Sequence, residues 1–198
     1  MNIPQSAIRN PNSMRLGLFG GSFDPVHLGH LVLADCCLEQ AELDEVWFVP
    51  AAEQPLKPHG PRANAAHRLA MLKLALVSRP EYRISTIELD RGGVSYTVDT
   101  LEAIRVQQPA AELFFLMGAD SLAELPRWHR AEEVCQLATP LIVGRAGVEI
   151  PADVLQIKMP DTPISSSQIR KSIAAGEDWN DLVEPAVATY INQHTLYR

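Results

Sequence analysis

The stretch Leu16-Gly17-Leu18-Phe19, running without a break into Gly20-Gly21-Ser22-Phe23-Asp24-Pro25-Val26-His27-Leu28-Gly29-His30, constrains this chain more than any other. The apolar run is short enough for a buried strand, and the residues after it lead into a segment with apolar periodicity and few breakers, so the order is strand, tight loop, helix. Residues 31–40 continue that helix, and Glu45-Val46-Trp47-Phe48-Val49-Pro50 reads as a second buried strand ended by proline. Strand, helix and strand in this order make a right-handed βαβ unit with parallel strands.

The rest of the chain repeats the alternation. Residues 64–78 predict a helix whose apolar face carries Leu69, Leu72 and Leu76. Residues 83–89 alternate like a half-buried strand, a Gly92-Gly93 turn follows, and Ser95-Tyr96-Thr97 opens the next helix with Thr97 as its cap. Glu112 to Met117 is continuously apolar after its first residue, the mark of a strand covered on both faces. It ends in Gly118-Ala119-Asp120-Ser121, where Asp120 or Ser121 is placed to cap a helix. Residues 141–143 and 155–159 supply a fifth and a sixth strand, Ser165-Ser166-Ser167 caps a helix carrying Ile169 and Ile173, and residues 184–194 close the chain as an amphipathic helix. The expectation is an α/β fold: a single Rossmann-like doubly wound domain with a mainly parallel sheet of five to six strands flanked by helices. Residues 1–14 read as a loose N-terminal tail and 15–198 as the one domain, long enough to bury a sizeable core.

The loop after the first strand suits a nucleoside polyphosphate. Gly20 and Gly21 let backbone N–H groups come close to phosphate oxygens. Asp24 is a good N-cap and Pro25 suits the first helical position, so a helix N-terminus points at the same place. His27 and His30, three residues apart, put two imidazoles on one helix face. The pattern is neither a Walker A loop, since no Gly-Lys-Ser/Thr follows, nor the dinucleotide G-x-G-x-x-G. Lys57 and His59 follow the end of the second strand, where ligands of open α/β sheets bind. Tyr96 offers an aromatic face beside free helix amides, and Trp128 sits between Arg127 and Arg130, separated from the second by His129.

Charge narrows the classes. With 17 Lys+Arg against 24 Asp+Glu the net charge is −7, so no broad basic footprint for a nucleic acid exists and an anionic ligand must be held by a local cluster. Cys36, Cys37 and Cys135 have neither zinc spacing nor a disulfide framework, which suits a reducing cytoplasm. No signal peptide and no apolar run of membrane-spanning length is expected. Homo-oligomerisation is left open.

The loop matches the GxFDPxHxGH signature of the nucleotidyltransferase superfamily, which includes the HIGH-type synthetases. Together with Gly118-Ala119-Asp120-Ser121-Leu122, Leu125-Pro126-x-Trp128-His129-Arg130, Ile164-Ser165-Ser166-Ser167-x-Ile169-Arg170 and the closing Val187-x-x-Tyr190-Ile191 and Leu196-Tyr197, the chain resembles the bacterial nicotinate-nucleotide adenylyltransferases. The Ser95-Tyr96-Thr97 and Leu125-Pro126-x-Trp128 segments carry the specificity of that resemblance. It implies ATP and nicotinate mononucleotide giving nicotinate adenine dinucleotide and pyrophosphate, with Mg²⁺ carried by ATP and no metal-ligating residue assigned to the chain. It implies His27, His30 and Arg170 as catalytic residues, the imidazoles on the triphosphate and Arg170 with Ser166 on its outer phosphates. Gly118 and Asp120 would hold the adenosine, and Gly20, Gly21, Ser22, Phe23, Lys57 and Arg145 complete the ATP-binding set. The nicotinate ring would lie against Tyr96 and Trp128, its carboxylate taken by backbone amides at Thr97 and His129. Where the family usually shows Pro-Pro-His-Lys, this chain has Gln54-Pro55-Leu56-Lys57-Pro58-His59.

Three other functions compete with the one this resemblance implies. The length and the Tyr96 and Trp128 segments argue against a pantetheine-phosphate adenylyltransferase. Retention of His27, His30 and Arg170 argues against a non-catalytic nucleotide sensor. An enzyme using nicotinamide mononucleotide stays open, because amide and acid differ by small geometry.

Overall fold

Side chains alternating along the central strands divide the interior into two layers. In the computed structural model, which describes residues 13–56, 60–144 and 154–198, β1 (Arg15–Gly21) sends Leu16 and Leu18 to one layer and Phe19 to the other. The strand β4 (Glu112–Gly118) does the same with Leu113, Phe115 and Met117 against Phe114 and Leu116. Such strands read as unbroken apolar runs because both faces are covered. One layer is closed by α1 (Leu28–Gln40), α2 (Ala65–Leu76), α7 (Ser166–Ala175) and α8 (Pro185–Gln193), the other by α4 (Thr97–Gln107) and α6 (Ala131–Leu137).

The sheet has six strands in the order β3-β2-β1-β4-β5-β6, with β2 (Glu45–Pro50), β3 (Tyr82–Ile84), β5 (Thr139–Gly144) and β6 (Leu155–Lys158) completing it. Every pairing is parallel. The chain winds outward from β1 to β3, returns to the middle at β4 and winds out the other way. That reversal leaves a crevice beyond the carboxyl ends of β1 and β4, where open α/β sheets bind their ligands. The doubly wound parallel sheet predicted from the alternation is therefore present.

Four local expectations fail. Residues 83–89 do not form one strand, because β3 stops at Ile84 and residues Ile87–Arg91 form a short helix, α3. The Ser85 amide still donates to Phe48 O, but Thr86 Oγ1 then donates to Asp90 Oδ2 at 2.7 Å, a contact that only a helical turn brings together. Thr97 is the first residue of α4, not its cap, a place taken by Tyr96. Asp120 and Ser121 lie inside α5 (Ala119–Leu122), which starts after Gly118. Asp24 does not cap α1, which begins only at Leu28, because its carboxylate is engaged by long-range donors. By contrast Ser165 caps α7 as the serine cluster predicts, its hydroxyl accepting from the Gln168 amide. At the amino-terminal side, residues 1–12 lie outside the described residues, while Ser13 and Met14 bond to Ala110 and Glu112.

Candidate active site

A cleft of about 440 Å³ opens at the carboxyl ends of β1, β2 and β4. Gly20 and Gly21 form one part of its floor and Gly118 another, and at Gly20 and Gly118 an added Cβ would meet nothing within 4 Å. The missing side chains leave open space at two strand ends, which is what close approach of a ligand to the backbone needs. Gly21 also has a packing reason, since its Cβ would stand 3.0 Å from the Phe23 ring.

Another part of the lining is aromatic. Tyr96 and His129 face each other with ring centroids 4.5 Å apart, and Trp128 leans on Phe115 at 5.9 Å. Tyr96 caps α4, so Thr97 stands in its first turn, where backbone N–H groups have no partner within the helix. Seven residues assigned from sequence thus meet in one cleft: Gly20, Gly21, Gly118, Tyr96, Thr97, Trp128 and His129. Beneath them lies a network that sequence reading missed. Glu88 is buried, accepts the Thr100 hydroxyl at 2.7 Å, and lines the cleft with Ser95. Burial pushes the Glu88 carboxyl above its ordinary value, against the hydrogen bonds from Thr100 and Ser95 and the charge of Arg91. Since Glu88 sat in a stretch that alternates like a strand, no periodicity could have found it.

The histidine pair sits at the start of α1, and neither ring is among the residues lining this cleft. The two rings stack with centroids 3.6 Å apart. The His27 backbone N–H donates to His30 Nδ1 at 3.2 Å, so Nδ1 is an acceptor and neutral His30 carries its proton on Nε2. Gly29 makes room for the pair, because a Cβ there would come within 3.1 Å of His27 Nδ1. Phe23 is a core residue, packed against Phe19, Phe48 and His30 with φ at 47°, so only its backbone remains to meet a nucleotide.

Asp24 is the hub behind the loop. Its carboxylate accepts from the Arg62 and Ala63 amides at 2.6 and 3.0 Å and from the Tyr197 hydroxyl at 2.7 Å. Burial and then Asp24 push the Tyr197 phenol above its ordinary range, so it stays a donor. The loop carbonyls are tied as well: Arg68 donates to Ser22 O at 2.8 Å, Arg170 to Asp24 O at 2.6 Å, and Ser166 to Pro25 O at 2.9 Å. Arg68 is 1% exposed, and burial lowers its guanidinium below the ordinary value while Asp24 and Tyr197 oppose this. Arg170 and Ser166, assigned from sequence to the outer phosphates, therefore have part of their donor capacity committed to the loop itself. Lys57, His59 and Arg145 lie outside the described residues, and Asp120 stands in α5 one residue beyond Ala119.

A parallel sheet in this order, with glycines at two strand ends, a histidine pair at the start of α1 and a serine-capped α7, fits a nucleotidyltransferase of the α/β type. Residues 18–172 match the Cytidylyltransferase-like family. The Bacillus subtilis nicotinate-nucleotide adenylyltransferase is 37% identical over 185 residues, covering 92% of this chain and 98% of that one. A protein of Thermomicrobium roseum named as a probable nicotinate-nucleotide adenylyltransferase is 41% identical over 196 residues, covering 93% and 92%. The Plasmodium falciparum nicotinic acid mononucleotide adenylyltransferase, solved in complex with NaAD, superposes with a TM-score of 0.79 at 21% identity over 93% of this chain and 97% of its own. This chain belongs to the nicotinate-nucleotide adenylyltransferase family.

Proposed function

We propose that this chain joins ATP and nicotinate mononucleotide into nicotinate adenine dinucleotide, releasing pyrophosphate, as a step of NAD biosynthesis. The observation that carries the reading is the cleft itself, which brings the glycine strand ends and the aromatic residues Tyr96, Trp128 and His129 to the lining of one space. Its volume of about 440 Å³ falls in the range of small-molecule sites, ~300–1,000 Å³.

The nucleophile is a phosphate oxygen of the mononucleotide, already anionic, so no serine or cysteine need be activated. That oxygen attacks the α-phosphorus of ATP in line, the P–O bond to the β-phosphate breaks, and the electron pair leaves with pyrophosphate. Catalysis is positioning plus charge neutralisation, and holding two substrates in line can supply ~7–11 kcal/mol. His30 Nε2–H and His27 meet the triphosphate, with Arg170, Ser166 and the amino end of α7 at its outer phosphates. Gly118 and Asp120 take the adenosine. The nicotinate carboxylate accepts from the amides of Thr97 and His129, which suit an oxygen better than an NH₂.

Mg²⁺ carried with ATP would supply charge neutralisation at its phosphates. A hard cation of this kind takes oxygen ligands, which the nucleotide and water would supply, and the Asp24 carboxylate beside the loop is already taken up by three hydrogen bonds. Among the described residues no helix is long and apolar enough to cross a membrane, and the three cysteines are free, in keeping with a cytoplasmic setting.

Pyrophosphate release with Mg·ATP tests this, comparing nicotinate mononucleotide, nicotinamide mononucleotide and phosphopantetheine. Strong preference for the first is expected. Equal use of the nicotinamide compound would refute the carboxylate-reading roles of Thr97 and His129, and no release with any would refute the activity.

A further inference from the structure

We infer that Tyr197 is a positioning residue for the signature loop, acting through Asp24 to hold the ATP-facing backbone and the histidine pair in register. The inference rests on the adenylyl transfer proposed above, since the loop is taken to meet ATP.

The loop of residues 22–27 joins the cleft floor at Gly20 and Gly21 to His27, so any shift at Asp24 moves both. Phe23 and Val26 pack it into the core, and its polar groups are tied from elsewhere in the chain. Its three successive anchor points, Ser22 O, Asp24 O and Pro25 O, are each taken by a side chain from α2 or α7, and the Asp24 carboxylate by residues 62, 63 and 197. In a trans peptide the N–H points away from its carbonyl, so tying Ser22 O and Pro25 O fixes the directions of the Phe23 and Val26 N–H groups. Asp24 is 3% exposed and takes three donors, with the Arg170 guanidinium a further 3.8 Å from Oδ2. Of these the Tyr197 hydroxyl is the one side-chain hydrogen bond to the carboxylate.

The terminal turn is bent to deliver that hydroxyl. After α8 the backbone takes left-handed conformations at Thr195 (φ 50°) and Tyr197 (φ 68°), neither a glycine and the first β-branched. Such conformations persist only where surrounding contacts over-determine them, and they mark places where a side chain has to be aimed. The contact that the bend secures is 2.7 Å from Tyr197 Oη to Asp24 Oδ1, across 173 residues of sequence. Around it the cations Arg62, Arg170 and Arg198 line a second cavity with Tyr197, so a loosened Asp24 would be drawn toward competing charges.

The test is Tyr197→Phe, which removes the hydroxyl and keeps the ring. The expected result is a fall of roughly 10- to 100-fold in kcat/KM for ATP, the scale of a misplacement remote from the reacting atoms. The KM for nicotinate mononucleotide should be unchanged, and affinity for a non-hydrolysable ATP analogue, measured by calorimetry, should weaken. Asp24→Asn combined with Tyr197→Phe should be no worse than the more damaging single variant, because both act through one contact. ATP kinetics within about twofold of the parent, or a lowered melting temperature with unaltered kinetics per folded enzyme, would overturn the inference, as would additive effects in the double variant. Calorimetry reads the loop whatever the acceptor substrate is, so a wrong acceptor in the proposed function leaves this measurement decisive.

Discussion

Replacing Gly118 by alanine separates a structural glycine from a ligand-facing one. Gly118 has φ −71° and ψ 154°, ordinary extended backbone, and a methyl built there meets no atom of the protein within 4 Å. Alanine at a compatible glycine position stabilises by ~0.4–1 kcal/mol through the unfolded chain. At ~2–4 °C per kcal/mol for a chain of this size, the melting temperature should rise by ~1–4 °C. If an adenosine passes over this strand end, the same methyl overpacks the complex at a cost of ~1–3 kcal/mol. That is a loss of roughly 5- to 150-fold in kcat/KM for ATP. Gly17→Ala is the control, because its methyl would stand 2.7 Å from Leu43 Cδ1 and 3.1 Å from Leu116 Cδ1. It should lower the melting temperature and leave the kinetics of the folded enzyme alone. Scanning fluorimetry and steady-state pyrophosphate release measure both arms. A Gly118→Ala variant that is as stable as the parent and binds and turns over ATP equally well would refute the claim that the nucleotide lies over β4.

His30→Ala should lower kcat by roughly 10²-fold or more, the value of one well-aimed donor, with little change in melting temperature; near-normal turnover would remove His30 from the mechanism. Trp128→Ala should raise the KM for nicotinate mononucleotide while the KM for ATP stays put, and an equal rise in both would mean the indole supports the whole cleft and not one substrate. Glu88→Gln should alter the pH dependence of stability. The buried Glu88 carboxyl ionises at a higher pH than in the unfolded chain, so the parent loses stability as pH rises from the ordinary Glu range through the folded value. The variant lacks that loss, and its melting temperature should gain on the parent as pH rises from 4.5, then level off above the folded value. A constant gap across that window would show that Glu88 carries no raised carboxyl.

The order of strands and helices was legible from residues 15–193 because periodicity and punctuation are local: an unbroken apolar run such as 113–117 needs two covered faces, and a serine run needs a helix to cap. The glycine floor and the aromatic wall were legible as separate motifs for the same reason. Where reading failed for Asp24 and Glu88, a partner farther along the chain had won. Asp24 looks like a cap until the amides of Arg62 and Ala63 and the hydroxyl of Tyr197 arrive from 38, 39 and 173 residues away. Glu88 looks like one position of a half-buried strand until Thr100 claims its carboxylate. Arg68 sits on the buried face of α2, and nothing in its spacing says that it holds Ser22.

Local sequence therefore determined which elements form and which backbone positions stay bare of side chains, since those depend on neighbours a few residues apart. Only the tertiary structure decided that the loop of residues 22–27 is held by α2, α7 and the terminal turn, because buried polar groups must find hydrogen-bond partners and these partners come from wherever the fold brings a donor. The same packing put Gly20, Gly118 and Trp128 around one cleft, a juxtaposition set by strand order and not by anything in the three segments themselves.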